Sequence, residues 1–186
     1  MNQTVMTIKS RRSTRAFSED QISSEDLNEI IEAGLYAPSA HNQQSWHFTI
    51  VQNIDLIGEI SIATKQAIGS QPDNIFKSIA NNDLLNIFYN APTIIIVSGN
   101  LSSMMPVVDC AAATQNMLIA AESLGISSCW VGLIAYLFNS KESELFYKLL
   151  GIPEGHKPYH AIALGFGKNV LSSAPARKDN RVTFIK

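Results

Sequence analysis

The chain is poor in the residues and runs that mark several large protein classes. Among its 186 residues are two cysteines, Cys110 and Cys129, which lie in apolar surroundings and lack C-x-x-C spacing. Neither a disulfide framework nor a zinc site is therefore predicted, and we expect two buried free thiols. No uninterrupted apolar run approaches the roughly 18 residues of a membrane span, and no signal-peptide segment is recognised. We therefore expect a cytoplasmic protein without a membrane partner.

Charge of either sign is also scarce. Lys and Arg number 14 and Asp and Glu 16, so the formal net charge is −2, and charged residues make up 16% of the chain. This balance argues against a nucleic-acid-binding protein held by broad electrostatic attraction. The 46% content of hydrophobic residues is typical of a globular protein, and the length predicts a single domain over residues 1–186.

Several catalytic and nucleotide-binding motifs are missing. The chain has neither a G-x-S-x-G nucleophile elbow nor a Walker A loop, which argues against a serine hydrolase and a P-loop enzyme. Gly165-Phe166-Gly167 follows an apolar run, but Val170 replaces the third small residue of a dinucleotide fingerprint and no helix is predicted after it, so a Rossmann site is rejected. His156 and His160 have helical spacing, but Pro158 lies between them, so metal ligation is not predicted.

The most distinctive segment that is present is Ser10-Arg11-Arg12-Ser13-Thr14-Arg15, which combines three guanidinium groups with three hydroxyls. Guanidinium groups bind phosphate through paired hydrogen bonds and stay charged at physiological pH, and hydroxyls add neutral donors. The segment predicts an anion site, with a phosphorylated small molecule as the first hypothesis and a solvated basic terminus as the alternative. Basic residues also crowd the other end of the chain, and the two ends would form one basic pocket if they meet.

Hydrophobic periodicity predicts a mixture of helices and strands. Ser23 or Ser24 is the predicted N-cap of a helix that continues to about Pro38, and Gly34 on its apolar face predicts close packing. The helix over residues 106–124 is apolar almost all round, which predicts burial in the domain or at a subunit interface. The other predicted elements are strands at 46–51, 93–97, 126–134 and 159–164, and helices at 56–68, at 75–88 and after a Ser140 cap.

Five segments, in order along the chain, resemble the nitroreductase family of flavoproteins. They are Arg11-Arg12-Ser13-Thr14-Arg15, residues 37–46 (APSAHNQQSW), Ala91-Pro92 before an apolar strand, residues 109–118 (DCAAATQNML) and residues 124–132 (LGISSCWVG). The resemblance implies an α+β fold, namely a three-layer α/β/α sandwich with a central, mostly antiparallel sheet, in an intertwined homodimer. It also implies FMN as the cofactor, with NADH or NADPH as the electron donor.

The resemblance further implies which residues bind FMN, and no general acid or base is nominated because the chemistry belongs to the flavin. Residues for the phosphate, the ribityl chain and the flavin edge are Arg11, Arg12, Ser13 and Arg15. Flavin contacts from the second subunit are Pro38, Ser39, Ala40, Asn42 and Gln44. The turn that meets the pyrimidine edge and N5 is Val131, Gly132 and Leu133, and the C-terminal phosphate-binding residues are Arg177 and Lys178, with Arg181 as a weaker candidate.

The implied activity is ping-pong transfer of hydride from NAD(P)H through flavin N5 to an electron-poor acceptor, such as a nitroaromatic compound or a quinone. Two alternatives stay open: a flavin-binding or flavin-storage protein of the same fold without turnover, and a non-flavin, anion-binding regulatory domain. The sequence departs from the family pattern at Gly165-Phe166-Gly167, where Gly-Tyr-Pro is usual, and at Ser45, where proline is usual. Residues 52–90 lack a clear match to the Asn and Lys that some members place at the flavin edge, which leaves the acceptor open.

Overall fold

The residues that the structure describes form a four-stranded antiparallel sheet with helices on both faces. The computed structural model describes residues 2–168 and 173–186. Its strands are β1 (Trp46–Val51), β2 (Thr93–Asn100), β3 (Ser127–Val131) and β4 (His156–Gly165). Their order in the sheet is β1-β2-β4-β3, so β1 and β3 are the edge strands and β2 and β4 are central.

The helices form a layer on each face of this sheet. They are α1 (Gln3–Ser10), α2 (Ser24–Leu35), α3 (Ile54–Gly69), α4 (Asn74–Ala80), α5 (Pro106–Ser123), α6 (Ile134–Leu137) and α7 (Ser143–Leu149). α2 and α5 cover one face, where Ile95 of β2 is buried with Met117 of α5. α3, α6 and α7 cover the other face, where Ile94 of β2 is buried with Ile60 of α3. The predicted three-layer α/β/α sandwich is confirmed, and β2 is buried on both faces because its successive side chains point into opposite cores.

α2 and α5 approach each other closely at a glycine. Ser23 caps α2, because its hydroxyl accepts a hydrogen bond from the Asp26 N–H at 3.0 Å. A Cβ placed on Gly34 would lie 2.9 Å from Cγ of Met117 and 3.1 Å from the Phe48 ring. The glycine therefore allows the contact between the two helices and β1, as its position on the apolar face predicted.

α5 is the long buried helix that the sequence predicted, and it ends before Gly125, whose φ of 74° is typical of a left-handed C-terminal cap. Both cysteines are buried free thiols, as predicted: Cys110 lies in α5 and Cys129 in β3. Burial and the neighbouring Asp109 carboxylate raise the pKa of Cys110 to about 12. This thiol therefore stays protonated and unreactive at neutral pH.

Two differences from the predicted helices arise where asparagine side chains accept hydrogen bonds from nearby backbone N–H groups. α1 was not predicted, because its apolar side chains do not form a clear buried face; the Asn2 side chain starts this helix by accepting the Thr4 N–H at 2.9 Å. The predicted helix over residues 75–88 is wrong in its second half, since α4 ends at Ala80. Beyond that point, Asn82 and Asn86 each accept the backbone N–H two residues ahead, which favours turns over helix.

Two strand boundaries also differ from the prediction. β3 ends at Val131, and Ile134 begins α6 instead of ending the strand. β4 begins at His156, three residues earlier than predicted, and places Pro158 opposite Ser98 where the register shifts at a bulge. A bulge tolerates a residue that lacks an N–H, so proline does not end this strand.

The predicted cap of the last helix is also wrong. Ser140 Oγ accepts the Glu142 N–H at 3.2 Å, and α7 starts only at Ser143 without a side-chain cap. Ser140 therefore stabilises the turn that precedes α7. Within residues 2–168 and 173–186, no helix has the length and apolar character needed to cross a membrane.

Candidate functional site

The arginine cluster, residues 11–15, lies beside the start of β3. α1 ends just before Arg11, whose N–H donates to the Thr7 carbonyl at 3.0 Å. Ser13 then forms an isolated parallel bridge with Ser128, and the N–H of the next residue donates to the Ser128 carbonyl at 3.0 Å. These hydrogen bonds fix the cluster against an edge strand of the sheet.

The guanidinium groups of Arg11 and Arg12 have different surroundings. Nη1 of Arg12 donates to the carbonyl oxygens of Lys9 at 2.9 Å and of Arg11 at 2.6 Å, so this side chain stabilises the end of α1. Nη1 of Arg11 is buried and has no hydrogen-bond partner among the described residues, and the same is true of Nε of Arg12. Because a buried donor without a partner costs free energy, the arrangement fits an anion that accepts from Arg11.

Three side chains of the cluster act on the pKa of Cys129 in β3. Burial raises the pKa of the Cys129 thiol, while the positive charges of Arg15 and Arg11 and a side-chain hydrogen bond with Ser13 act in the opposite direction. Ser13 is fixed there by its bridge with Ser128, and both guanidinium groups are near enough to act on the thiol of the following residue. Two cations and a neutral donor beside one edge strand are suitable for an anionic ligand.

The predicted turn 131–133 lies on the same edge of the sheet. Val131 is buried and pairs with Ala161, Gly132 is exposed, and Leu133 is half-buried just before α6. From Ser128 to Gly132 an extended strand spans about 13 Å. The structure thus brings this turn and the arginine cluster to one edge strand.

A buried carboxylate fixes the loop that follows α2. Asp109 is 2% exposed, and its two oxygens accept the Ala40 N–H at 2.9 Å and the Ser45 hydroxyl at 2.8 Å. Ser39 Oγ accepts the Gln44 N–H at 2.9 Å, which closes the loop. Sequence interpretation assigned Asp109 no role in the site. The sequence contained one signal of such a role, which is an acidic residue within a predicted helix that is apolar almost all round.

The same loop has a strained backbone and exposed polar side chains. φ is 50° at His41, 53° at Asn42 and 46° at Gln44, a left-handed conformation that residues other than glycine seldom adopt. Pro38, Asn42 and Gln44 are exposed, and Nε2 of Gln44 donates to Oδ1 of Asn42 at 3.2 Å. Strain of this kind is concentrated at functional sites.

The loop and the arginine cluster are at opposite ends of α5. Asp109 binds the loop in the first turn of α5, whereas Lys9 and Ser10 share a surface cavity with Glu122 and Ser123 of the last turn. A helix rises 1.5 Å per residue, so these two ends are about 20 Å apart. One protomer therefore does not bring the two predicted groups together.

The chain lies next to the arginine cluster just after β4 ends. The Lys168 N–H donates to the Ala16 carbonyl at 2.9 Å, immediately after the cluster. Residues 169–172 lie outside the described residues, and they include Val170 of the rejected dinucleotide fingerprint. Beyond them Arg177 and Lys178 are exposed, and the hydrogen bonds described for them include none to the arginine cluster.

His160 is expected to make the stability of the protein sensitive to acid. Its ring packs edge-on against Trp130 at 4.6 Å between centroids. Burial lowers its pKa from 6.5, and a backbone hydrogen bond with Tyr159 opposes this shift. The unfolded chain binds the proton more readily, so stability present above pH 6.5 is lost as pH falls through the folded-state pKa. We expect the free energy of unfolding, measured by urea titration, to decrease on acidification by about 1.4 kcal/mol per unit of pKa difference.

Substitution separates this effect from general acid unfolding. His160→Phe should reduce the decline of stability between neutral and mildly acidic pH, because the buried group no longer titrates. Part of the decline should persist through His47, whose pKa is also lowered by burial and by His156. His41→Asn is the matched control, since this residue is exposed and asparagine tolerates its φ of 50°. An unchanged decline in His160→Phe would contradict the assignment.

Comparisons with known proteins agree with this fold. The Nitroreductase family model matches residues 8–167. A crystal structure of a nitroreductase with bound FMN from Bacteroides fragilis is 36% identical and superposes with a TM-score of 0.93, with 100% of each chain covered. A second nitroreductase structure with bound FMN, from Desulfitobacterium hafniense, is 31% identical with a TM-score of 0.90, again over 100% of each chain.

A relative from an archaeon extends the same comparison. This protein of Archaeoglobus fulgidus has the provisional name NADH dehydrogenase/NAD(P)H nitroreductase and is 33% identical over 172 residues. The match covers 91% of the present chain and 88% of that protein. The family match includes the arginine cluster, the Asp109-bound loop and the turn 131–133. The chain therefore belongs to the nitroreductase family.

Proposed function

We propose that the protein binds FMN and oxidises NADH or NADPH while reducing an electron-poor acceptor, such as a nitroaromatic compound or a quinone. The observation that carries this proposal is the buried Nη1 of Arg11, which has no partner among the described residues and belongs to the same short segment as Ser13 and Arg15. The FMN in the two nitroreductase structures and the provisional NAD(P)H nitroreductase name of the archaeal relative support the same chemistry.

The residues of the arginine cluster fit FMN. A phosphate monoester carries close to two negative charges at neutral pH, and Arg11 and Ser13 would give it one charged and one neutral donor. Arg12 would add its buried Nε, which lacks a partner among the described residues. Arg15 would lie at the edge of the flavin ring, where a positive charge stabilises the reduced form.

The chain's own groups would bind and orient, and no side chain is assigned to proton transfer. Bound FMN supplies hydride acceptance and donation at its N5 atom. Val131, Gly132 and Leu133 would present the main chain to the pyrimidine edge and N5, where an N–H group favours added electron density. The nicotinamide donor and the acceptor would occupy the site in turn, which gives a ping-pong order.

We propose further that a second copy of the chain completes each site. The Asp109-bound loop is about 20 Å from the arginine cluster along α5, so its flavin contacts would go to the partner's site. The residues concerned are Pro38, Ser39, Ala40, Asn42 and Gln44. A two-fold homodimer would create two equivalent sites in this way, with Arg177 and Lys178 of the tail reaching the phosphate. Exposed apolar residues that such a dimer would cover are Met104, Met105, Val107, Val108, Phe184 and Ile185.

Spectroscopy of the purified protein tests the proposal. We expect the absorption bands of oxidised FMN, their bleaching on anaerobic addition of NADH or NADPH, and their return on addition of a nitroaromatic compound or a quinone. A colourless protein that gains no FMN on reconstitution would overturn the proposal. Colour that does not bleach would support flavin storage instead, and a released ligand other than flavin, identified by mass spectrometry, would support an anion-binding regulatory domain.

The remaining features of the proposal concern the chain as a whole. We propose one nitroreductase-like domain over residues 1–186, and the cytoplasmic location stays a prediction. Screening acceptors against the reduced enzyme would identify the acceptor class, which the sequence of residues 52–90 leaves open.

A further inference from the structure

The side chain of Arg15 is weakly held by hydrogen bonds. Arg15 is exposed, and its Nη1 donates to the Ser13 carbonyl at 3.4 Å, which is long for a hydrogen bond. Its guanidinium carbon lies 5.9 Å from the centroid of the Tyr89 ring, within the range of a cation–π interaction. The Ser13 carbonyl and the Tyr89 ring are therefore the two contacts described for the Arg15 guanidinium.

Tyr89 is itself fixed by an unusual backbone. φ is 59° at Tyr89 and 57° at Asn90, so two successive residues other than glycine are left-handed just before the Ala91-Pro92 pair that precedes β2. The Tyr89 N–H donates to the Asn86 carbonyl at 2.9 Å, and the Asn86 side chain accepts the N–H of the buried Phe88 at 2.8 Å. The Tyr89 ring packs against the core formed with α3 and α6, beneath Arg15.

Such strain persists only where the surrounding structure fixes it, and it is concentrated at functional sites. A tyrosine that only filled space in the core would not require a left-handed backbone to carry its ring. Here the strained segment places an aromatic face under an arginine that is 74 residues earlier in the chain. The arrangement holds a positive charge at a defined position on the sheet edge.

We propose that Tyr89 is a positioning residue, which holds the Arg15 guanidinium so that its charge faces the flavin ring. This inference rests on the proposed FMN site. An arginine side chain loses considerable conformational freedom when it is fixed, and a preformed ring beneath it lowers that cost on binding. Because reduction adds negative charge to the flavin, a correctly held Arg15 favours reduced over oxidised FMN.

Two measurements on the reconstituted protein test this role: the dissociation constant of FMN, from fluorescence titration of the apoprotein, and the two-electron reduction potential of the bound flavin. Tyr89→Leu should raise the dissociation constant of oxidised FMN by about 3- to 10-fold, and it should weaken the binding of reduced FMN more. A tenfold larger loss for the reduced form corresponds to a potential lower by about 30 mV. Tyr89→Phe keeps the aromatic face and should stay within about twofold of the wild type.

Two further variants separate positioning from packing. In an Arg15→Ala background, Tyr89→Leu should cause no additional change in potential, because the charge through which Tyr89 acts is absent. Replacement of Tyr89 by pentafluorophenylalanine keeps the shape of a ring but removes its attraction for a cation, so it should lower the potential as Tyr89→Leu does. This second variant keeps the test valid if Tyr89→Leu does not fold.

The possible failures are distinguishable. Wild-type apoprotein that binds no FMN would overturn the proposed function, and this inference with it. Wild-type FMN binding together with an unchanged potential in Tyr89→Leu and in the pentafluorophenylalanine variant would overturn the inference alone. An equal loss of potential from Tyr89→Leu with and without Arg15 would also overturn it, since Tyr89 would then act through packing.

Discussion

Arg11→Ala is expected to raise the dissociation constant of FMN by about 10- to 150-fold, because hydrogen bonds between charged groups contribute about 1.5 to 3 kcal/mol. Arg11 Nη1 is buried and has no partner among the described residues, so the substitution removes a donor for the ligand without breaking a described side-chain hydrogen bond. The variant should therefore remain folded and, in the proposed assembly, dimeric. Fluorescence titration of the apoprotein and size-exclusion chromatography provide the two measurements.

Lys9→Ala is the matched control for this experiment. Lys9 lies two residues before Arg11 and is exposed, so its removal changes the net charge by the same amount without removing a donor from the buried site. Exposed charges interact weakly with a ligand through water, and we expect FMN affinity within about twofold of the wild type. Equal losses in both variants would mean that general attraction holds the ligand. Undiminished affinity in Arg11→Ala would remove its assignment to the phosphate.

Asp109→Ala is expected to lower the free energy of unfolding by about 2 to 4 kcal/mol, because it leaves one buried and one partly buried donor without an acceptor, at about 1 to 3 kcal/mol each. The two donors are the Ala40 N–H and the Ser45 hydroxyl, which bind opposite oxygens of the carboxylate. The loop between them should lose its fixed position, so FMN affinity should also decrease if the loop contacts the flavin of the partner. Urea unfolding measures the first effect and FMN titration the second.

Two comparisons identify the cause of this loss. Ser45→Ala removes one of the two hydrogen bonds and should cost less than Asp109→Ala, and the double variant should show less than the sum of the two single effects. Glu122→Ala removes the other acidic residue of α5 and should change stability by less than about 1 kcal/mol. If Glu122→Ala destabilises as much as Asp109→Ala, the two loop hydrogen bonds are not the source of the effect.

The elements that were predictable from the sequence are those with a local signal. The first five residues of β2, Thr93 to Val97, are all β-branched, which predicts a strand covered on both faces, and the burial of all five residues confirms that interpretation. α2 has a serine cap, acidic residues in its first turn and a regular apolar stripe. Each of these signals lies within a few consecutive residues, so the prediction of β2 and of α2 requires no knowledge of the rest of the chain.

The features that were missed depend on contacts between distant residues. Asp109 binds groups 64 and 69 residues away, and no periodic pattern marks such a partner. Tyr89 acquires its place under Arg15 from two left-handed residues, which directly follow a stretch that was wrongly predicted to be helical up to residue 88. Short polar side chains at Asn82 and Asn86 outweighed the helical pattern there, since they offer the backbone alternative hydrogen bonds.

The sequence by itself determined the family, through five ordered segments, and the donors of the candidate site, because guanidinium and hydroxyl chemistry belongs to the residues wherever they lie. Only the tertiary structure decided which of these groups meet. The sheet order brings the arginine cluster and the turn 131–133 to one edge strand, whereas the length of α5 separates the arginine cluster from the Asp109-bound loop. Burial then left Arg11 Nη1 without a partner among the described residues, which supports the proposal that this basic segment binds an anion.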